Sequence, residues 1–451
     1  MTDAIIQVSE DGVSEGGVET VAPARGDGID TSRNVYDVLE ERGFIANVSD
    51  GPGLRAALAD PAGGPLTVYI GFDPTATSLH IGHLLSIMAL AHFQRHGHRP
   101  TALIGGGTGM IGDPTDKASQ RPILTLEQIE RNIAGMRPQF ARYLDFAGGR
   151  FGDNPAALLL NNADWLLTLE YIPFLRDIGK LFSVNQLLSH STYRERLELG
   201  SLNFIEINYV LLQAYDFLHQ FRAFGTTLQF GGGDQWFNVL AGSDLIRRVE
   251  GAQAFAAVTP LLTTSDGRKM GKTEGGSVWL DPAQTSPYQF YQFFMNVDDA
   301  KVEQLLKLFT FLPLETIADL ASREGADIRA AKETVAFEAT RLSHGEAAAQ
   351  EARMASRALF AGGGATGEGV PTVQVSGAAL ADGITLVELL VTAGLATSRG
   401  GARRLIGQGG ASVNGAVVAD TEARLTTAEL RDGALLLRAG KKRYARVVMA
   451  A

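Results

Sequence analysis

Two histidines three residues apart, His80 and His83, open a helix directly after a short apolar strand, within the run TVYIGFDPTATSLHIGHLL of residues 67–85. Val68, Ile70 and Phe72 suit a buried parallel strand, and Ser78 is expected as the N-cap of an amphipathic helix carrying Leu79, Leu84, Leu85, Met88 and Leu90. Imidazoles at i and i+3 share one helix face. In the first turn they stand beside unpaired backbone N–H groups and the positive end of the helix dipole, a combination that favours an anion such as a phosphate. Far downstream, residues 266–273 read DGRKMGKT and place Lys269 and Lys272 on a short glycine-containing loop, as a clamp on transferring phosphates requires.

An isolated His-x-x-His more often caps a helix or faces solvent, so the lysine pair is what gives the histidines meaning. Together, the intact His80-Ile-Gly-His83 and the Lys269/Lys272 loop resemble a class I aminoacyl-tRNA synthetase.

The elements that must hold these groups follow from periodicity. Between Asn34 and about Pro260, apolar strands at Val68–Phe72, Thr101–Ile104, Ala157–Leu160 and Thr226–Phe230 alternate with helical stretches. That alternation predicts an α/β fold with a Rossmann-like, doubly wound parallel sheet, whose ligands lie beyond the carboxyl ends of its strands. The expected organisation is a disordered acidic extension over 1–34, a catalytic domain over 35–260, and a mobile lysine loop and linker over 261–287. A helical domain over 288–360, a Gly-rich linker over 361–383 and a small α+β domain over 384–451 follow. In that last segment Thr385–Ala393 and Arg399–Gln408 read as short helices, Asn414-Gly415 as a hairpin turn, and the chain around Gly440 as a second hairpin.

Three patterns are decoys. Gly107-Thr-Gly-Met-Ile-Gly112 spells a dinucleotide fingerprint, but Asp113-Pro114 prevents a helix from opening across the third glycine, so a loop that lets backbone approach a ligand fits better. Gly267–Thr273 has three residues between its glycines where a phosphate-binding P-loop needs four. His92, His96 and His98 suggest a metal site, but Arg95, Gly97 and Pro100 beside them mark a helix C-terminus, where cations are favourable; no metal site is expected.

With 451 residues the chain needs several cores. No apolar run approaches the roughly 20 residues that span a bilayer, and the seven acids and single arginine of the first thirty residues resemble no secretory or transit signal. The absence of cysteine excludes disulfides, thiolate catalysis and Cys-ligated zinc, and fits a cytoplasmic protein with no membrane association. The net charge of −10 is uneven: residues 385–451 hold ten Lys/Arg and five Asp/Glu, which is +5 against −15 for the rest. Such a tail is either a solvated basic face or a nucleic-acid contact.

Selection of the amino acid is written in a helix from about Ser201 to Phe221, apolar nearly all round, with Tyr209, Gln213 and Asp216 at i, i+4 and i+7. That stripe either faces solvent or another domain, or lines a buried site. Tyr69–Thr75 (YIGFDPT), Gly112-Asp-Pro114, the Tyr209/Gln213/Asp216 set and Gly233-Asp-Gln-Trp236 together resemble the bacterial-type tyrosyl-tRNA synthetases over nearly everything after residue 34. The resemblance implies that Tyr69 and Asp216 hydrogen-bond the substrate phenol and that Asp113, Tyr209 and Gln213 hold its ammonium group. A phenylalanine in such a pocket leaves buried polar groups unpaired.

It further implies attack of the tyrosine carboxylate on the α-phosphate of ATP, giving tyrosyl-adenylate and pyrophosphate, followed by transfer to the 3′ end of tRNA(Tyr). The nucleophile is already ionised at neutral pH, so positioning and charge stabilisation are what the protein must supply. Thr75, His80, Lys269 and Lys272 would stabilise the phosphates, with Mg2+ accompanying ATP and no tightly bound cofactor. His83, Asp73 and Gln235 would position nucleotide or substrate, and Gly71 and Gly82 would lie against the nucleotide. Lys117 and Arg121 either reach pyrophosphate or remain solvated loop cations. The family is homodimeric.

The chain departs from the general pattern at Met270-Gly-Lys-Thr273, where Gly271 and Thr273 replace serines, and at Ile70, where several relatives carry cysteine. The C-terminal segment is similar to S4 RNA-binding domains, with Arg399, Arg403, Arg404, Lys441, Lys442 and Arg443 as phosphate contacts. Two competing readings remain at this stage, a tryptophanyl relative and a non-catalytic RNA-binding protein on the same fold.

Overall fold

The computed structural model describes residues 32–60, 63–114, 124–265, 267, 270–273, 276–323, 325–360, 370–440 and 443–450. The acidic extension up to residue 31 and the Gly-rich stretch 361–369 lie outside them. The chain forms two units, one of residues 1–271 with 298–324, the other of residues 272–297 with 325–451. Among the described residues no helix is long and apolar enough to cross a membrane.

The first unit is built on a six-stranded sheet of β1 (Asn47–Val48), β2 (Thr67–Phe72), β3 (Arg99–Ile104), β4 (Leu158–Asn161), β5 (Thr226–Gly231) and β6 (Phe255–Val258), in the order β1-β6-β5-β2-β3-β4. All neighbours are parallel except β1, which runs antiparallel to β6. The chain steps from β2 to β3 to β4 in one direction and from β5 to β6 in the other, so the order reverses between β2 and β5, where open α/β sheets bind ligands. The expected doubly wound sheet is therefore present, with two strands that periodicity did not reveal. β1 is only two residues long, and the Ala-rich, fully buried β6 carries no alternation.

The helix after β2 runs from Ile81 to Arg95, and its N-cap is His80, not Ser78. Ser78 is instead buried in the preceding turn, where its hydroxyl donates to the Leu79 carbonyl and the Leu79 N–H donates to Gln139 Oε1 at 2.9 Å. A side-chain amide from another helix thus satisfies the backbone there, so the helix starts two residues later.

Residues 288–360, expected as one helical domain, are helical but divided between the units. The Val302–Phe309 helix packs on the Ile81–Arg95 and Val35–Arg42 helices of the first. Buried Arg42 fastens it by donating to the carbonyls of Lys307 at 3.1 Å, Thr310 at 3.0 Å and Leu312 at 2.6 Å, which include acceptors that the helix end leaves unpaired. Beside this clamp the His92 ring packs edge-on against Phe44 and Phe311, and the Arg95 guanidinium lies 3.8 Å from the Phe311 ring centroid. The three histidines once suggestive of metal are thus committed elsewhere, His96 Nδ1 to the His92 carbonyl and His98 Nδ1 to the Leu66 N–H. Among the described residues no group of three potential ligands could hold a metal ion.

In the second unit the helices Pro287–Met295, Ile328–His344 and Glu346–Phe360 pack on one another. The C-terminal part has a five-stranded sheet whose core includes Leu386, Leu390, Ile406, Leu435 and Val447. Strands Ala411–Val413 and Ala416–Val417 are joined by Asn414-Gly415 with φ of +48° and +87°, the signature of a tight two-residue hairpin turn. Thr372–Val375, within the stretch expected to be linker, is a strand that pairs in parallel with Arg443–Met449. Its four residues after Pro371 are too few to stand out next to the glycines.

Arg42→Met removes the clamp and strands three carbonyls, two of them at a helix end. The expected loss is roughly 2–5 kcal/mol, read as a lower midpoint in urea unfolding.

Candidate active site

The crevice where the strand order reverses is lined by segments leaving four strands. Asp73 follows β2, the Gly105–Thr108 turn follows β3, Asn161 and Asn162 end β4, and Gln235 follows β5. The Phe204–Phe224 helix crosses behind them and brings Tyr209, Gln213 and Asp216. It opens at Asn203, where Glu206 accepts from the Asn203 N–H and forms a buried ion pair with Arg196 at 2.7 Å. It closes at Gly225 in the left-handed conformation.

Asp216 is 2% exposed, within an apolar cluster that includes Phe217, Leu218 and Trp165. Its two oxygens accept from Trp165 Nε1 at 2.7 Å and Asn162 Nδ2 at 2.8 Å. Burial nonetheless pushes its pKa up to about 7, with the nearby Asp73 charge adding to the rise and the two donors opposing it. The Tyr69 phenol, buried on β2, is raised well above its ordinary value by burial and by the Asp216 charge, and among the described residues its hydroxyl has no hydrogen-bond partner. Gln213 Oε1 is likewise buried without a partner among the described residues. Tyr209 and Asp216 of the polar stripe thus face the segments that leave β2 and β4.

A second carboxylate, Asp73, accepts from Thr108 Oγ1 and from the Tyr209 hydroxyl, each at 2.8 Å. Thr108 in turn accepts from Asn162 Nδ2 at 3.0 Å. On the other side Gln235 Nε2 donates to Asp113 Oδ2 at 2.6 Å, and Asn238 Nδ2 donates to Gln235 Oε1 at 3.1 Å. The Gly107–Gly112 stretch is a loop with a short 3-10 turn at Thr108–Met110, not a dinucleotide-binding helix start. A Cβ on Gly105 would lie 2.1 Å from Asp73 Oδ1, so a glycine there is what admits the carboxylate.

At the helix start the imidazoles of His80 and His83 stack at 3.8 Å between centroids, 9° from parallel, and the His80 N–H donates to His83 Nδ1 at 3.3 Å. A Cβ on Gly82 would approach His80 Cε1 to 2.9 Å, so Gly82 makes room for that ring. Gly71 is exposed at the end of β2 with open space where a Cβ would point, and Thr75 is exposed just beyond. Gly271 of the lysine loop sits against Ile81 and Gly82.

Lys117, Arg121, Lys269, Lys441 and Lys442 lie outside the described residues, and Lys272 is described only as backbone in a two-residue strand paired with Gly276-Ser277. In the second unit Arg399, Arg403 and Arg404 are exposed on the Arg399–Gly407 helix, and Arg443 opens the last strand. Sequence reasoning missed Thr108, Asn162 and Trp165. A signal was available for Asn162, because it stands at the carboxyl end of a parallel strand.

Residues 61–361 match the model of the class I tRNA synthetases for W and Y, and residues 364–447 match the tyrosine–tRNA ligase SYY-like C-terminal domain. The chain is similar to the tyrosine–tRNA ligase of Clostridium kluyveri, 48% identical over 92% of this chain and 99% of that protein. It is also similar to the ligase of Lachnoclostridium phytofermentans, 49% identical over 92% and 98%. Among solved structures it resembles a C-terminally truncated mitochondrial tyrosyl-tRNA synthetase of Aspergillus nidulans, with a TM-score of 0.65 and 31% identity over 73% of this chain and 94% of that one. The tyrosyl-tRNA synthetase of Archaeoglobus fulgidus complexed with L-tyrosine, at a TM-score of 0.51 and 17% identity over 71% and 99%, shares the fold.

The electrostatics of Asp216 can be read from stability. Between its ordinary carboxylate pKa and about 7 the folded chain keeps a proton that the unfolded chain has lost, so the group's contribution falls as pH rises through that window and stays low above it. Asp216→Asn does not titrate. The melting-temperature difference between variant and wild type is therefore expected to move in the variant's favour from about pH 4.5 to about pH 8, measured by calorimetry.

Proposed function

On the premise that the chain belongs to the class I tyrosyl-tRNA synthetases, and is thus a ligase that joins tyrosine to tRNA with ATP as a substrate, we propose how its residues divide the work. The observation that carries the assignment is a buried carboxylate and a buried phenol, the phenol without a partner among the described residues, in one apolar cluster at the strand-order reversal. Tyr69 and Asp216 read the substrate hydroxyl, while Asp113, Tyr209 and Gln213 hold the ammonium group. Gln235, bonded to Asp113, positions that end of the substrate.

In the first step a tyrosine carboxylate oxygen attacks the α-phosphorus of ATP, the bond to the β-phosphate oxygen breaks, and pyrophosphate leaves. No general base is needed because the nucleophile is already an anion. Thr75, His80, Lys269 and Lys272 stabilise the phosphates, with Mg2+ entering on ATP and no other cofactor tightly bound. His83 and Asp73 position the nucleotide, and Gly71 and Gly82 lie where it meets backbone. Lys117 and Arg121 draw on the leaving pyrophosphate. In the second step the 3′-terminal ribose hydroxyl of tRNA(Tyr) attacks the adenylate carbonyl and AMP leaves.

The helical part of the second unit and its C-terminal sheet domain carry the tRNA contacts, with Arg399, Arg403, Arg404, Lys441, Lys442 and Arg443 against phosphates. We assign the chain to the cytoplasm as a homodimer. The dimer is supported by exposed large apolar side chains between Leu167 and Phe204, including Tyr171, Ile172 and Leu199.

The reading is tested by pyrophosphate exchange into ATP without tRNA, supplying tyrosine, phenylalanine or tryptophan in turn. Exchange with tyrosine alone is expected; exchange with tryptophan, or with none, would overturn the assignment. The double charge reversal Arg403→Glu/Arg404→Glu is expected to leave that exchange unchanged and to weaken tRNA charging, with a shallower dependence on salt.

A further inference from the structure

The hydrogen bonds around the pocket form one continuous chain, Trp165–Asp216–Asn162–Thr108–Asp73–Tyr209, drawn from the end of β4, the turn after β3, the segment after β2 and the Phe204–Phe224 helix. Its polarity is determined by valence. Asn162 Oδ1 accepts from the Gly107 N–H at 2.8 Å, which orients the amide and turns both its hydrogens the other way, one to Asp216 and one to Thr108. Thr108 has a single hydrogen. It goes to Asp73 while the hydroxyl oxygen receives the Asn162 hydrogen. Every member but the partly exposed Asp73 is buried, and Thr108 and Asn162 are 3% and 1% exposed, so neither can exchange its partner for water without opening the site.

We propose that Asn162 and Thr108 are positioning residues that bridge the phenol-reading carboxylate Asp216 to Asp73, making selection of the amino acid depend on Thr108, whose hydroxyl bonds to Asp73 and Asn162 and not to Asp216. The proposal rests on the assignment of Asp216 to the substrate phenol. A carboxylate in an apolar cavity is directed only by its donors, and one of the two that aim Asp216 is itself held by Thr108. Breaking the bridge leaves the Asn162 amide held on its far side only at Oδ1 by the Gly107 N–H, and the Asp216 oxygen it bonds is less firmly directed. The rival account makes Thr108 a local pin for the turn after β3, in which case it affects all amino acids alike.

Spatial continuity alone does not establish coupling, so the test is a cycle. Pyrophosphate exchange is measured with tyrosine and with phenylalanine for wild type, Thr108→Val, Thr108→Ser, Asp216→Asn and the Thr108→Val/Asp216→Asn double variant. Expected for Thr108→Val is a fall of about five-fold or more in the tyrosine-to-phenylalanine ratio of kcat/KM, with Thr108→Ser, which keeps the hydroxyl, close to wild type. In the double variant Thr108→Val is expected to add little to Asp216→Asn. Equal losses for both amino acids, or effects that simply multiply in the double variant, overturn the bridge. Asn162→Ser breaks the chain at its other member and must show the same loss of ratio if Thr108→Val does not fold. A wild-type chain with no tyrosine-dependent exchange is a different result and overturns the functional reading itself.

Discussion

Burying the Asp216 carboxylate is the constraint around which the first unit is arranged. An ionised oxygen pair among Phe217, Leu218 and the Trp165 ring is expensive unless every acceptor site is engaged, and two donors from the segment that follows β4 are brought to it. They reduce the penalty without cancelling it, since burial still pushes the group up to about 7. The strands supply what the helix cannot. Parallel strands leave their carboxyl ends close together, so Asp73, Thr108 and Asn162, far apart in sequence, can join one hydrogen-bonded chain.

Backbone without side chains is the second requirement. Asp73 enters the network only because residue 105 lacks a Cβ, and His80 lies over the helix start only because residue 82 lacks one. Gly82 was expected to lie against the nucleotide. In the molecule the group that approaches is the protein's own imidazole. The stacked rings then stand at the positive end of a helix that is buried almost all round.

How much of this was legible follows from where each signal resides. Strands of four or more apolar residues bounded by Gly or Pro declared themselves, as did the Asn414-Gly415 turn, because the causes are local. β1, β6 and Thr372–Val375 did not, since two to four residues acquire strand geometry only from a neighbour. The histidines, Tyr209, Gln213 and Asp216 were legible as polar residues on an otherwise apolar surface. Thr108 and Trp165 were not, because a threonine among glycines and a tryptophan in an apolar helix look ordinary until their partners are known. The segment 298–324 was misjudged for a similar reason. Its helical period is plain, but its allegiance to the first unit is set by Arg42, more than 260 residues earlier.

On the proposed assignment of Tyr69 and Asp216 to the substrate phenol, the same burial that costs stability gives the site its power to discriminate. A solvated carboxylate would accept a substrate hydroxyl and lose little when offered a ring without one, because water would fill the gap. In the apolar cluster there is no such substitute: among the described residues the Tyr69 hydroxyl has no hydrogen-bond partner, and on that assignment a ring lacking a hydroxyl would leave it and the Asp216 charge uncompensated. Discrimination therefore grows with exclusion of water, and so does the upward pressure on the Asp216 pKa. The two donors on Asp216 mark the compromise between them. They keep the acid near enough to ionisation to serve as an acceptor, while the Asn162 amide, tied at its other hydrogen to Thr108, keeps its direction independent of solvent.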